Sequence, residues 1–323
     1  MPMLSSVWWL DPESGDVKAL SSFEVLEPRY RSGVRWLHFT GTDRDDVDWL
    51  REAFGFHPLP LEDCLKSGQR PKLETYDGYV FLDVYAADTR PGSAELTLHE
   101  FDCFLAPGYL ITSHADLHPV TDEVLERWKH APDRLRGGSG LLAHLLLDSL
   151  VDGYFPVVDR LEERLEALEE SLFVRFDDQV VTEIFRLKKA LVQFRRIVAP
   201  TRDVCLLMLR QENGFFDAET RLYLQDVYDH LIRVADSIDT FRDLVASAID
   251  AYLSVAANRT NDTMKRLTSI STVLMTAALV AGFYGMNFDL PEFHWKWGVA
   301  FVYALILCLS VLLTWWFKRR GYF

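Results

Sequence analysis

Positive charge is in short supply: 34 lysines and arginines stand against 48 aspartates and glutamates, a formal net charge of -14 over 323 residues. A general nucleic-acid binder carries a basic face, so that class is excluded. Cysteine is scarcer still. Cys64, Cys103, Cys205 and Cys308 stand singly, with no CxxC pair, which excludes a disulfide framework and a zinc ribbon. The opening MPMLSSVWWLDPESGD lacks a basic segment followed by an apolar run, so no signal peptide is expected. No P-loop GxxxxGK-Ser/Thr occurs, so no nucleotide partner is expected. No Ser-His-Asp or Cys-His spacing proposes a nucleophile, so the chain does not read as an enzyme. Disorder is excluded by what is abundant, 49% hydrophobic and 13% aromatic residues.

Charge of either sign is missing altogether from two stretches near the C-terminus. Leu267 to Phe288 reads LTSISTVLMTAALVAGFYGMNF, and Gly298 to Phe317 reads GVAFVYALILCLSVLLTWWF. Each reaches the ~20 residues a helix needs to cross roughly 30 Å of hydrocarbon. Two buried core helices of a soluble protein are the competing reading. Length, the Trp315-Trp316 pair and the flanking charges favour membrane spans. Lys265 and Arg266 precede the first span and Lys318, Arg319 and Arg320 follow the second. By the positive-inside rule both termini lie in the cytoplasm and the connecting loop outside. The expected segments are span one at 267–287, an external loop at 288–297, span two at 298–317 and a basic tail at 318–323. The lipid bilayer of the cytoplasmic membrane is thus an expected partner.

The preceding residues divide by period. Over 1–136, VWWL, VRWLHFTG, YVFLDVYAAD and ELTLHEFDCFLAPGYLITSH read as strands, with short helices in DRDDVDWLREAFGF and PLEDCLKSG. This is an α/β domain, closed by a flexible GGSG at 137–140. Over 141–266 the period becomes helical. Leucines at 161, 165, 168 and 172 make one apolar stripe, and VTEIFRLKKALVQFRRIV is expected to end at Pro200. Leu224, Val227, Leu231, Val234, Ile238, Phe241, Val245, Ala248, Tyr252 and Val255 follow three- and four-residue steps, an a/d seam over more than four heptads. No glycine or proline interrupts from about Ala218 to Gly282, which predicts one rod of ~100 Å at 1.5 Å per residue. Two helices with an unmarked bend are the alternative. The fold class expected is an α+β membrane protein: a cytosolic α/β domain, a long helical stalk and two transmembrane helices per subunit.

Two spans cannot enclose a pore, so conduction would require several copies around an axis. The first span, with Thr268, Ser269, Ser271, Thr272 and Thr276, suits the lining better than the aliphatic second. Asn261, Met264, Leu267 (or Thr268), Ser271, Met275, Ala278 and Gly282 fall on one face at helical spacing. From spacing alone, that face serves equally for close helix packing through small residues.

The first span ends in Tyr284-Gly285-Met286-Asn287, followed by FDLPEFHWKWG and the second span. With HPLPLEDCL (57–65), QRPKLETYDGYVFL (69–82), LLDSLVDGYF (146–155) and LQDVYDHLIRVADSIDTFRDLV (224–245), this resembles the CorA family of magnesium and cobalt channels. The resemblance implies a homopentameric funnel, Mg2+ as both cargo and regulator, and Co2+ or Ni2+ as further cargo. It assigns selectivity to Gly285, Met286 and Asn287. Neutral oxygens there would hold a hydrated Mg2+, which dehydrates reluctantly, without binding it too tightly to leave. Asp289 and Glu292 in the external loop would raise the local cation concentration. The resemblance places a hydrophobic gate at Met264, Leu267 and Met275, with Asn261 and Gly282 also facing the pore. It places regulatory Mg2+ between subunits at Asp63 and Asp226, with Asp148 and Asp152 as secondary ligands. Asp217, Glu219, Asp226, Asp229, Asp236, Asp239, Asp243, Asp250 and Asp262 give the long helix its acidic bias. A divalent ion moving inward gains ~4–5 kcal/mol per 100 mV, so passive uptake suffices. Two other readings stay open: a proton-coupled Zn2+ transporter of the same superfamily, and a non-conducting membrane-anchored scaffold. His114 and His118 beside Pro119 read as a turn, and His99, Glu100 and Asp102 as a scattered polar edge.

Overall fold

The structure is a computed structural model that describes residues 4–21, 24–89, 95–130, 138–174, 178–211, 215–286 and 290–322. Its first compact unit is Met1–Ser247 and its second is Ala248–Phe323.

The first unit is built on a seven-stranded sheet of β1 (Leu4–Leu10), β2 (Val17–Leu20), β3 (Val34–Thr40), β4 (Lys72–Tyr76), β5 (Tyr79–Thr89), β6 (Leu96–Ala106) and β7 (Tyr109–His114). The order is β2-β1-β3-β7-β6-β5-β4, antiparallel except for the parallel pair β3 and β7. Helices α1 (Arg44–Phe54) and α2 (Pro58–Asp63) lie in the crossover between those two strands. Asp43 starts α1 through a reciprocal capping box with Asp46, and Gly55 ends it at φ 71°, the left-handed conformation glycine adopts without a Cβ penalty.

One sheet face packs Phe39, Phe81, Phe104 and Ile111 against Leu50 of α1 and Leu61 of α2. The other packs Leu82, Val84, Cys103 and Leu110 against Ala143, Leu146, Leu147 and Met208. Ala143, Leu146 and Leu147 belong to α4 (Ser139–Asp152) and Met208 to α6 (Asp178–Arg210). A strand covered on both faces reads as a continuous apolar run, as YVFLDVYAAD does. The helical part also holds α3 (Pro119–His130) and α5 (Tyr154–Val174). The α4–α5 region is apolar enough to resemble a membrane span, yet 67% of that stretch is buried inside the unit. It is core.

Pro200 does not end its helix. It is buried inside α6, which continues to Arg210. Proline removes one intrahelical hydrogen bond. Here the neighbouring Thr201 hydroxyl donates to Ile197 O at 2.9 Å, and Ile197, Val198 and Val204 are buried around the site, so packing holds the helix together.

The long helix is unbroken: α7 runs from Ala218 to Tyr284, 67 residues. Its seam is buried from Leu224 to Ala248, and Tyr252 and Val255 beyond are half-buried. The second unit holds the rest of α7, a 3-10 turn at Pro291–His294 and α8 (Gly298–Arg319). The apolar stretches of α7 and α8 are only 6% buried, so both present their side chains outward. That is the surface a bilayer or neighbouring subunits can cover.

Candidate ion pathway and metal-binding carboxylates

In the second unit, Asn261, Met264, Leu267, Thr268, Ser271, Met275, Ala278 and Gly282 are all exposed on α7. Ser269 is buried, and Thr272, Val273, Thr276, Ala277, Val280 and Tyr284, which share its side of the helix, are half-buried. Of the five hydroxyl residues read as lining candidates, only Thr268 and Ser271 stand on the open face. The others satisfy the helix itself: Ser269 Oγ donates to Arg266 O at 2.9 Å, Thr272 Oγ1 to Thr268 O and Thr276 Oγ1 to Thr272 O, both at 2.8 Å. Met264, Leu267 and Met275 are 56%, 59% and 72% exposed, an open apolar strip interleaved with small and polar groups.

At the end of α7, Gly285 N–H donates to Ala281 O at 2.9 Å and Met286 N–H to Phe283 O at 3.3 Å. Asn287 and Asp289 lie outside the described residues. Glu292 sits in the 3-10 turn, whose close approach to α8 demands a glycine: a Cβ on Gly298 would meet Glu292 O at 2.0 Å. Trp295 and Trp297 are exposed at this end and Trp315 and Trp316 at the other, the placement of two interfacial aromatic belts. Arg319 and Arg320 lie over Trp315 and Trp316 at 5.4 and 5.3 Å.

In the first unit, Asp63 ends α2 and accepts a hydrogen bond from Lys72 Nζ at 2.6 Å; Lys72 also reaches Glu74 at 3.1 Å. Asp148 is engaged by Arg127 at 2.5 Å. Asp148, Asp152 and His230 each offer a ligand atom within 4.8 Å of the others. His230 stands 3.7 Å from both Asp152 and Asp226. Burial and the neighbouring Asp148 raise the Asp152 pKa, opposed by His230. The sequence reading missed His230, although Asp226 and His230 occupy the i, i+4 spacing of one helix face. Among the described residues of one subunit, no such ligand group unites Asp63 with Asp226.

The acidic bias of α7 is partly structural. Asp217 accepts from Thr220 N at the helix start, Asp239 pairs with Arg195 and Arg242, and Asp262 pairs with Lys265. These three are accounted for by a cap and ion pairs.

The polar residues of β6 are not a scattered edge. β6 lies inside the sheet, and Asp102 is the cross-strand partner of Asp83 on β5, as Glu100 is of Tyr85. Asp83, Glu100 and Asp102 bring one oxygen each within 4.8 Å. Burial, then Asp102 and Glu100, push Asp83 up to about 9; burial, then Glu100 and Asp63, push Asp102 up to about 8. His114 ends β7, and His118 follows in the turn, as expected. His118 joins His99 and Asp88 as a third group. Its Nδ1 accepts from Val120 N at 3.3 Å at the start of α3, leaving Nε2 as the protonated nitrogen facing Asp88 at 3.1 Å. A capping tautomer of this kind opposes metal ligation.

A family model described as "CorA-like Mg2+ transporter protein" matches residues 31–319. The cobalt/magnesium transport protein CorA of Thermotoga maritima is 35% identical over 311 residues, covering 95% of this chain and 89% of that protein. The zinc transport protein ZntB of Klebsiella pneumoniae is 23% identical over 316 residues, covering 97% and 94%. The complete CorA magnesium transporter from Methanocaldococcus jannaschii matches the fold with a TM-score of 0.82 at 23% identity, over 98% of each chain.

Proposed function

The chain belongs to the CorA-like Mg2+ transporter family, and on that premise we propose that it is a membrane-potential-driven Mg2+ channel, carrying Co2+ and Ni2+ as well. Five copies surround the axis, each with both termini in the cytoplasm. The observation that carries the reading is the two-sided character of α7 beyond Arg266. One side, from Ser269 to Tyr284, is buried or half-buried within the subunit, while the side bearing Asn261, Met264, Leu267, Met275 and Gly282 is open. An exposed strip of polar, small and Met/Leu positions fits a pore wall in which wet sites alternate with hydrophobic constrictions. Gly285, Met286 and Asn287 form the filter at its outer end, with Asp289 and Glu292 beside it.

The cytosolic carboxylates form the gate. Asp226 has 69% of its side chain exposed, as a group reaching for a neighbouring subunit must. The donor set of Asp63, Asp148, Asp152 and Asp226 consists of hard oxygens, which suits Mg2+. When bound, Mg2+ supplies the positive charge that lets Asp63 of one subunit lie against Asp226 of the next. Without it the carboxylates repel, the ring of subunits loosens and the α7 pore faces move apart.

His230 beside Asp152 and Asp226 adds an imidazole, a donor that suits zinc, and this supports the proton-coupled Zn2+ transporter as the second reading. Liposomes loaded with a Mg2+-sensitive dye separate these. Potential-driven Mg2+ entry abolished by Asn287→Ala supports the channel. Zn2+ entry that requires a proton gradient supports the second reading, and no flux of either ion supports a scaffold.

A further inference from the structure

Asp83 is fully buried, yet neither of its carboxylate oxygens has a hydrogen-bond partner. Asp102, 5% exposed, leaves Oδ1 equally unpartnered. Their carboxylates converge with that of Glu100, each offering an oxygen within 4.8 Å of the others. Three carboxylates that close in a dry interior are strongly disfavoured while all are ionised, so the cluster takes up either protons or a metal cation. The cation acting on both aspartates is already engaged: Lys72, cross-strand partner of Asp83, directs its ammonium to Asp63 and Glu74.

The segment after α2 is tied to the cluster. Both Glu100 oxygens accept backbone N–H bonds, from Gly68 at 2.6 Å and Gln69 at 3.1 Å. Tyr85 Oη donates to Gln69 O at 2.6 Å. The segment after α2 is therefore fastened over the carboxylates.

We propose that Asp83, Glu100 and Asp102 bind one hard divalent cation, such as Mg2+ or Mn2+, inside each subunit. All three donors are carboxylate oxygens, with no imidazole, which selects hard ions over zinc. The site lies within one α/β domain, beside Asp63 but made of other carboxylates than those proposed to meet between subunits, and it does not depend on the transport reading. Its role is to fasten the segment 64–69 to the sheet, directly behind Asp63.

The test counts bound Mn2+ by electron paramagnetic resonance on the purified full-length protein, in an Asp63→Ala, Asp226→Ala background that removes the proposed inter-subunit pair. Adding Asp83→Asn and Asp102→Asn should remove one Mn2+ per subunit. An unchanged count in a variant with the parent's oligomeric state and circular dichroism overturns the proposal. A second measurement needs no change in the cluster. In the same Asp63→Ala, Asp226→Ala background, Mn2+ should slow amide exchange in the peptide containing Gly68 and Gln69 at least severalfold over the chelated protein. Equal exchange with and without Mn2+ shows that the carboxylates are held by shared protons alone, which also overturns it.

Discussion

Lys72 Nζ sits 2.6 Å from Asp63 Oδ2, with only 29% and 18% of the two side chains exposed. The carboxylate carried over as a regulatory ligand is thus already neutralised inside its own subunit. Any cation that recruits Asp63 must compete with an ammonium that cannot diffuse away. Lys72 also spans to Glu74, whose other oxygen accepts from Tyr76 Oη at 2.7 Å. If Asp63 serves the proposed gate, the pair should act as a threshold, with Mg2+ having to displace the ammonium before Asp63 changes partner.

Removing the competitor should therefore sensitise the gate. Lys72→Met frees Asp63, and with a partly shielded pair contributing ~1 kcal/mol, the Mg2+ concentration that protects against proteolysis should fall about 5-fold. Asp63→Ala with Asp226→Ala should raise it. A protection curve that Lys72→Met leaves in place would remove Asp63 from the gate.

The open apolar strip of α7 makes a second prediction. Met264→Asn or Leu267→Asn places a water-binding amide where a dry ring is proposed, so closed-state leak should rise severalfold at high internal Mg2+. Flux that stays at the wild-type closed level would show that the constriction lies elsewhere.

Substitutions at two glycines should separate folding from the proposed conduction. Gly298→Ala forces a Cβ to 2.0 Å from Glu292 O, costing about 1–3 kcal/mol or more, and the assembled fraction in size-exclusion chromatography should drop. Gly282 has nothing within 4 Å of its built Cβ. Gly282→Ala should leave assembly intact, since alanine is favoured in a helix interior by ~1 kcal/mol, while reducing flux by narrowing the proposed pore.

Acid should loosen the first unit through His38. It is 2% exposed, beside His114, and its Nδ1 lies 2.9 Å from Thr112 Oγ1, which accepts from Trp36 Nε1 at 3.0 Å. Burial, then the charge of His114, lowers its pKa to about 3. The folded value lies below the unfolded one of ~6.5, so the native state binds fewer protons and stability falls as pH drops below ~6.5. Between pH 7 and 5 this histidine should account for about 2 kcal/mol. His38→Gln should flatten that slope relative to wild type in urea unfolding followed by tryptophan fluorescence. Parallel slopes would assign the acid loss to other groups.

Much of this was legible because the informative patterns are periodic or contiguous. The a/d spacing marked the buried seam from Leu224 to Ala248 residue by residue, and uncharged runs of ~20 residues marked α8 and the end of α7. What failed were judgements that depend on tertiary partners. Pro200 signals a helix end locally, but α6 is held on both sides of it by buried neighbours. Glu100 and Asp102 read as polar surface because nothing local says that β6 is interior or that Asp83 faces Asp102 across the ladder. The short strands β2 and β4 and the helix α3 carried signals too weak to stand out beside Trp-rich and Leu-rich segments. His230 was visible at i+4 from Asp226, yet its partnership with Asp152 of α4 is a property of packing.

The buried apolar seam of α7 ends at Ala248 while the helix continues for about ten more turns at 3.6 residues per turn. One covalent rod thus joins a buried seam to an open apolar stretch. Up to Ala248 its grip comes from water expelling apolar side chains, a force that fades on cooling. Between helices in a bilayer that force is absent, and close packing would hold the open stretch of a family transporter instead. Lowering the temperature should therefore soften the hold on the buried seam first, making this protein's response to cold a question of which half of a single helix lets go.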